Sequence, residues 1–433
     1  MDLPAALPNC AALPCTRHHP HDGPVSVLAD TILPLIRTRA DVWRWNIADE
    51  HGARMHEAVE ILRQAADVDD PAEVFAVTQR AIASALTVIM RADDSSGIIG
   101  DACRDLLDLH PIVAARAQAA PRKLVDWMMK FQFANDCDYF TIDPVAYAPA
   151  LVDDGMAAYR TRLDELAATL GPQPPDDDRW TSPHAGEWST LDWNAQRLAV
   201  FDGDVDAIIR THARGGRVAA WLEDTAVALM EIGEVDAAID WAKRATDLDE
   251  GHQSAKAAEY WCDLLAEHRP DELLAARLAV FRRWPSSSTA GRLYRDAGAA
   301  WPQYHEEVIE RLSERPREVV LFAQLYLKDI PFAWSLAHSL GLDDDRTWSD
   351  PAKAYEKLDP TAVLPVYTRL VENELTAADA RNYSSAARRL KRMRKLAARS
   401  AEAGEVDAFI SDLRDRYRRR PRLQLEFDRA ALP

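Results

Sequence analysis

Glycine is scarce in this sequence, at 16 of 433 residues, and the glycines present build none of the loops that cradle phosphates. There is no glycine-rich turn ending in Lys-Ser/Thr, no Gly-x-Gly-x-x-Gly dinucleotide fingerprint and no Gly-x-Ser-x-Gly nucleophile elbow. The helix of a zinc protease is missing too. His51 and His56 are five residues apart, off a single helical face, and His305-Glu306-Glu307 lacks a second histidine. Long apolar runs are also lacking, since residues 74–90 are interrupted by Thr78, Gln79 and Arg80 well short of the ~20 apolar residues that span a bilayer. No membrane partner is expected. The opening Met1-Asp2-Leu3-Pro4 has neither the lysines nor the apolar run of a secretory signal. The five cysteines, Cys10, Cys15, Cys103, Cys137 and Cys262, are odd in number and scattered, unlike a disulfide framework. Reduced thiols in a cytoplasmic protein are the expectation, with Cys103, Cys137 and Cys262 inert in helical or apolar settings.

What is abundant is Ala, Leu, Arg, Asp and Glu, a mixture that propagates helix and lacks the β-branched clustering of strands. Hydrophobic residues at 48% and charged residues at 28% are ordinary globular values. An all-α protein follows. Its net charge of -18 is unevenly distributed: residues 376–422 hold 14 Lys/Arg against 6 Asp/Glu, an excess of 8, so the remainder carries -26. That remainder repels nucleic acid, and only the C-terminal segment could attract it.

Breakers divide the chain. Residues 1–24, rich in Pro, His and Ala without helical period, read as a flexible tail, and 25–170 as an N-terminal helical domain. Residues 171–188, with Gly171-Pro172-Gln173-Pro174-Pro175-Asp176-Asp177-Asp178 and Pro183-His184-Ala185-Gly186, read as a linker to a helical-repeat domain over 189–430. Within that repeat domain a single pentapeptide pattern recurs: Gly203-Asp204-Val205-Asp206-Ala207, Gly233-Glu234-Val235-Asp236-Ala237 and Gly404-Glu405-Val406-Asp407-Ala408. A glycine that ends one helix in the left-handed conformation, followed by an acid at the start of the next, describes a helix hairpin. Apolar stripes flank Gly233, and Ala226, Ala238 and Ala245 are small enough for the two helices to approach closely, as in a tetratricopeptide repeat. The reading is therefore an α-α superhelix of stacked hairpins, a tetratricopeptide-like solenoid. Trp193, Trp221, Trp241, Trp261, Trp284 and Trp301 recur about once per helix, as core packing between stacked helices would place them, with an aromatic ligand groove as the alternative.

The run Arg91-Ala92-Asp93-Asp94-Ser95-Ser96-Gly97, then Asp105-Leu106-Leu107-Asp108-Leu109-His110, residues 127–133, and the later Gly233, Trp241 and Ala242 resemble a family of uncharacterised bacterial helical proteins. Some members carry an N-terminal SWIM-type zinc finger. The resemblance covers residues 41–427 and implies a tetratricopeptide-like helical region without implying a reaction. The Cys-x-Cys and Cys-x-His pairs of a SWIM finger are absent. The nearest ligand cluster, Cys10, Cys15, His18, His19 and His21, lies in a tail with no helix or strand pattern to organise, so zinc is not expected and no cofactor is assigned.

Asp93-Asp94-Ser95-Ser96-Gly97 groups carboxylates and hydroxyls that could hold magnesium or phosphate, but Ser95 or Ser96 capping a helix that starts near Ile98 accounts for it more simply. Near the C-terminus, Tyr383, Ala386, Leu390, Met393 and Ala397 form a buried stripe, which turns Arg388, Arg392, Lys395 and Arg399 outward, either as a solvated cap that offsets the acidic body and closes the last face of the solenoid or as the candidate partner-binding residues. The functional expectation is a non-catalytic scaffold that binds a protein or peptide. Nucleic-acid association through the basic segment, and an enzyme without a recognisable motif, are the alternatives.

Overall fold

The structure is a computed structural model that describes residues 27–134, 139–175, 178 and 181–433. The cluster of Cys10, Cys15, His18, His19 and His21, the 1–24 tail and Cys137 lie outside the described residues. Among those described, every regular element is helical, and the fold is all-α. Two compact units divide between Thr211 and His212.

The first unit contains α1 (Val27–Ile36), α2 (Trp45–Val68), α3 (Pro71–Ile89), α4 (Ile98–Arg116), α5 (Pro121–Phe133), α6 (Pro144–Leu170) and α7 (Ala185–Asp202), and the division falls within α8 (Val205–Ala213). The second contains α9 (Ala219–Glu231), α10 (Val235–Asp247), α11 (His252–His268), α12 (Pro270–Arg283), α13 (Ser287–Ala297), α14 (His305–Ser313), α15 (Pro316–Leu325), α16 (Ile330–Ser339), α17 (Asp345–Tyr355), α18 (Leu364–Thr376), α19 (Ala380–Ala397), α20 (Ala403–Arg416) and α21 (Pro421–Arg429). In the second unit each helix from α9 to α13 packs on the next, and α9 also meets α11, so the hairpins stack in chain order as in an α-α solenoid.

The first unit's core is threaded by apolar stripes such as Met55, Val59, Leu62 and Ala66 of α2 and Leu106, Leu109 and Val113 of α4. Trp188, Leu191 and Leu198 of α7 belong to this same core. The compact division is therefore later in the chain than the expected linker at 171–188, because α7 buries its apolar face upstream. Helix α3 is the one described helix long and apolar enough to cross a bilayer, by length and composition. Here Val74, Val77, Ala81, Ile82, Ala85 and Val88 are buried in the helical core.

The hairpin chemistry holds at two of the three pentapeptides. Gly233 has φ +83°, its N–H donates to Met230 O at 3.0 Å, and the N–H of Glu234 donates to Leu229 O at 2.9 Å, the paired bonds of a Schellman ending. Gly203, with φ +63°, repeats them with Val200 and Ala199. Gly404 does not, because it lies inside α20 rather than between helices. Ala226 and Ala238 are fully enclosed where α9 meets α10.

At the start of α4 the expected serine takes only a minor part, Ser96 Oγ accepting the N–H of Ile98 at 3.5 Å. Gly97 is the N-cap, and Asp94 accepts the N–H groups of Ile99 at 2.9 Å and Gly100 at 2.8 Å, while Ser96 donates to Asp49 at 2.6 Å. A carboxylate that accepts helical N–H groups and favours the positive helix end explains this loop without a bound ion. Of the recurring tryptophans, Trp261 is buried, and Trp241 and Trp301 pack against buried cores, as expected. Trp221, Trp241 and Trp284 are half-buried, each with a guanidinium over its ring, from Arg214, Arg244 and Arg283 respectively.

Candidate functional site

Most polar groups that could do chemistry are already committed to holding helices together. His51 is fully buried with Nε2 2.8 Å from Ile36 O, and burial lowers its pKa. His56 has both ring nitrogens engaged, at 3.3 Å from Asp105 and 3.1 Å from Ile98 O. The Tyr159 hydroxyl donates to Asn194 Oδ1 at 2.5 Å, Asn194 donates to Gln132 at 2.9 Å, and Gln132 donates back to Tyr159 at 2.6 Å, closing a ring across α5, α6 and α7. Burial pushes the Cys262 thiol up to about 11, away from thiolate reactivity. Among the described residues there is no group of three His, Cys, Asp or Glu placed to hold a metal.

The exposed cations of α19 are different. Tyr383, Ala386, Ala387, Leu390, Met393 and Ala397 are buried, which fixes the rotation of the helix about its axis. Arg388, Lys395 and Arg399 are exposed and, among the described residues, have no ion-pair partner. Arg392 is not free in this way. Its Nε donates to Glu356 at 2.9 Å, and Glu356, only 6% exposed, also accepts from the Tyr367 hydroxyl. Burial would raise the Glu356 carboxyl, but Arg392 and Tyr367 hold it below its ordinary value. Arg389 and Arg394 are likewise paired, with Glu374 at 2.9 Å and Asp407 at 2.7 Å.

Two residues outside the expected set join the face. Arg381 and Lys391 are exposed and unpaired among the described residues, and with Arg388, Lys395 and Arg399 they recur at steps of seven, three, four and four. From Arg381 to Lys395 that spacing is one stripe of α19, and Arg399 follows in the turn just beyond the helix. It was readable in the sequence once the buried stripe was drawn, whereas the pairing of Arg392 with Glu356, 36 residues away, was not.

A second feature lies in the first unit. Between α3 and α5 is a cavity of ≈ 870 Å³ whose apolar wall includes Ile82, Leu86, Met90, Trp127 and Phe131, with Arg80 and Lys130 also lining it. Behind Trp127, its ring centroid 4.1 Å from that of His110, is an aromatic cluster with Phe75 and Tyr147.

Comparison with known proteins adds a family and little else. No curated protein matches the chain. A solved structure described as a circular tandem repeat protein with novel repeat topology and enhanced subunit contact surfaces is 12% identical over 93% of this chain and 94% of that one. Its TM-score is 0.16, too low to bear on fold or function. A family of unknown function, DUF6880, matches residues 35–293, more than half of the sequence, and the chain belongs to that family.

Proposed function

We propose that this protein is a non-catalytic helical-repeat scaffold that holds an acidic segment of a protein partner along α19. The observation that carries this reading is the unpaired stripe of Arg381, Arg388, Lys391 and Lys395 on α19, with Arg399 in the turn just after it, in a chain with 70 acidic residues against 52 basic ones. Elsewhere in the second unit, Arg269, Arg277, Arg282, Arg292, Arg414 and Arg416 are tied to carboxylates. Cations left without a counter-ion where carboxylates are in excess are positioned for a partner's charges, and the 3–4 spacing suits an acidic helix laid alongside. An acidic protein segment is favoured over a duplex because the charge of -26 outside residues 376–422 repels flanking phosphates.

The test is fluorescence anisotropy with a labelled Glu-rich amphipathic peptide and, in parallel, a labelled DNA duplex. Saturable peptide binding that weakens about tenfold or more in the Arg388→Glu, Lys395→Glu double variant is the expected result. Both sites are exposed, so the variant keeps its melting temperature. Absence of peptide binding rejects the proposal. Submicromolar duplex binding at about 150 mM salt, lost in the same variant, replaces it with nucleic-acid recognition.

A further inference from the structure

Independently of α19, we infer that the cleft between α3 and α5 is a binding site for a small amphipathic anion, an unbranched acyl chain ending in a carboxylate. The cleft follows one stripe of α3: Ala76, Gln79, Arg80, Ala83, Leu86, Thr87 and Met90 line it at helical steps of three and four. From Ala76 to Met90 this stripe is about 21 Å long at the helical rise, so the site is an elongated trough. Its concavity has a local cause. Ala76, Ala83 and Thr87 are short exposed side chains, while Ile82 and Phe131 are nearly fully buried and form the floor.

The volume of ≈ 870 Å³ lies within the range of small-molecule sites, and a mainly apolar lining with a few polar groups is the usual composition of such sites. Charge selects the ligand class. The lining contains two cations, Arg80 and Lys130, and no acid, although acids outnumber bases in the chain. Both cations are exposed and lack an ion-pair partner among the described residues. An apolar trough with unpaired positive charge fits a ligand with an apolar body and one anionic end, because the body is removed from water while the head gains a charge-assisted hydrogen bond. A neutral chain forgoes the second interaction, and a cationic amphiphile is repelled.

The experiment is isothermal titration of the delipidated full-length protein with dodecanoate below its aggregation concentration, with decanol and dodecylamine as comparison ligands. Saturable dodecanoate binding is expected, with decanol weaker and dodecylamine silent. Ala83→Trp, which fills the trough from an exposed position, should lower the affinity by about tenfold or more. Arg80→Glu with Lys130→Glu should weaken dodecanoate at least as much and leave decanol unchanged. Thermal melting of both variants shows whether the fold is kept, and the surface charge reversal remains informative if the tryptophan variant does not fold. No saturable heat from dodecanoate, or unchanged affinity in the charge-reversed variant, overturns the assignment. Binding of the Glu-rich peptide in this cleft, blocked by Ala83→Trp while dodecanoate is inert, gives the cleft to a protein helix and overturns it as well.

Discussion

His110 shows how far a single residue can be removed from its expected surroundings. It is fully buried among Phe75, Trp127 and Tyr147, with Nδ1 2.9 Å from the Tyr147 hydroxyl and Nε2 without a partner among the described residues. Burial pushes its pKa down to about 3 from the ordinary 6.5. The unfolded chain therefore takes up a proton between those values that the folded chain refuses. The stabilisation is complete above roughly pH 6.5 and shrinks as the pH falls toward 3. Unfolding in urea should cost about 2 kcal/mol less at roughly pH 5 than at pH 7 on account of this residue. His51 shifts in the same direction, so some pH slope persists without His110. In His110→Gln, which keeps a hydrogen-bonding group and cannot titrate, the slope should flatten. An unchanged slope would place the acid sensitivity elsewhere.

At the scale of the element, what could be read from the sequence was local, and what could not was assembled from distant segments. The α9–α10 hairpin was legible because glycine, acid and apolar stripe lie within one short stretch, and Gly233 adopts the left-handed conformation they imply. The same five residue types around Gly404 misled, because a glycine's position in a pattern does not reveal whether a helix is already under way. The Asp94 cap was hidden by its neighbours Ser95 and Ser96, which are equally good capping types. Of the candidate site, the outward face of α19 followed from its own buried stripe, whereas the cleft between α3 and α5 needed two helices and had no sequence signature. Helix α13 offers a test of such non-local packing. A Cβ built on Gly291 would lie 2.1 Å from the Tyr326 ring, a distance that no repacking short of moving the ring can relieve. Glycine to alanine within a helix ordinarily stabilises by about 0.5–1 kcal/mol. Here Gly291→Ala should instead destabilise by roughly 1–3 kcal/mol through overpacking, read from denaturant midpoints. A stabilised variant would show that α13 and Tyr326 are not in close contact.

For the molecule as a whole, the question is where the first cooperative unit ends. Composition points to 171–188, the stretch with the greatest density of prolines and acids. Packing points further on. Helix α7 contributes Trp188, Leu191 and Leu198 to the first core, and its Asn194 closes the ring with Gln132 and Tyr159. Arg197, also on α7, donates to Asp143 at the start of α6 at 3.0 and 2.8 Å. A chain cut at residue 170 therefore exposes the surface that those three apolar side chains cover and leaves Gln132 and Tyr159 short of a partner. By area alone, losing the three side chains costs on the order of 5 kcal/mol, and the opened polar ring adds to it. Fragment 1–211 should accordingly melt cooperatively and well above fragment 1–170, which should bind a hydrophobic dye such as anilinonaphthalene sulfonate on its uncovered face. Equal melting temperatures and no dye binding by 1–170 would return the boundary to the proline-rich segment and assign α7 to the repeat region.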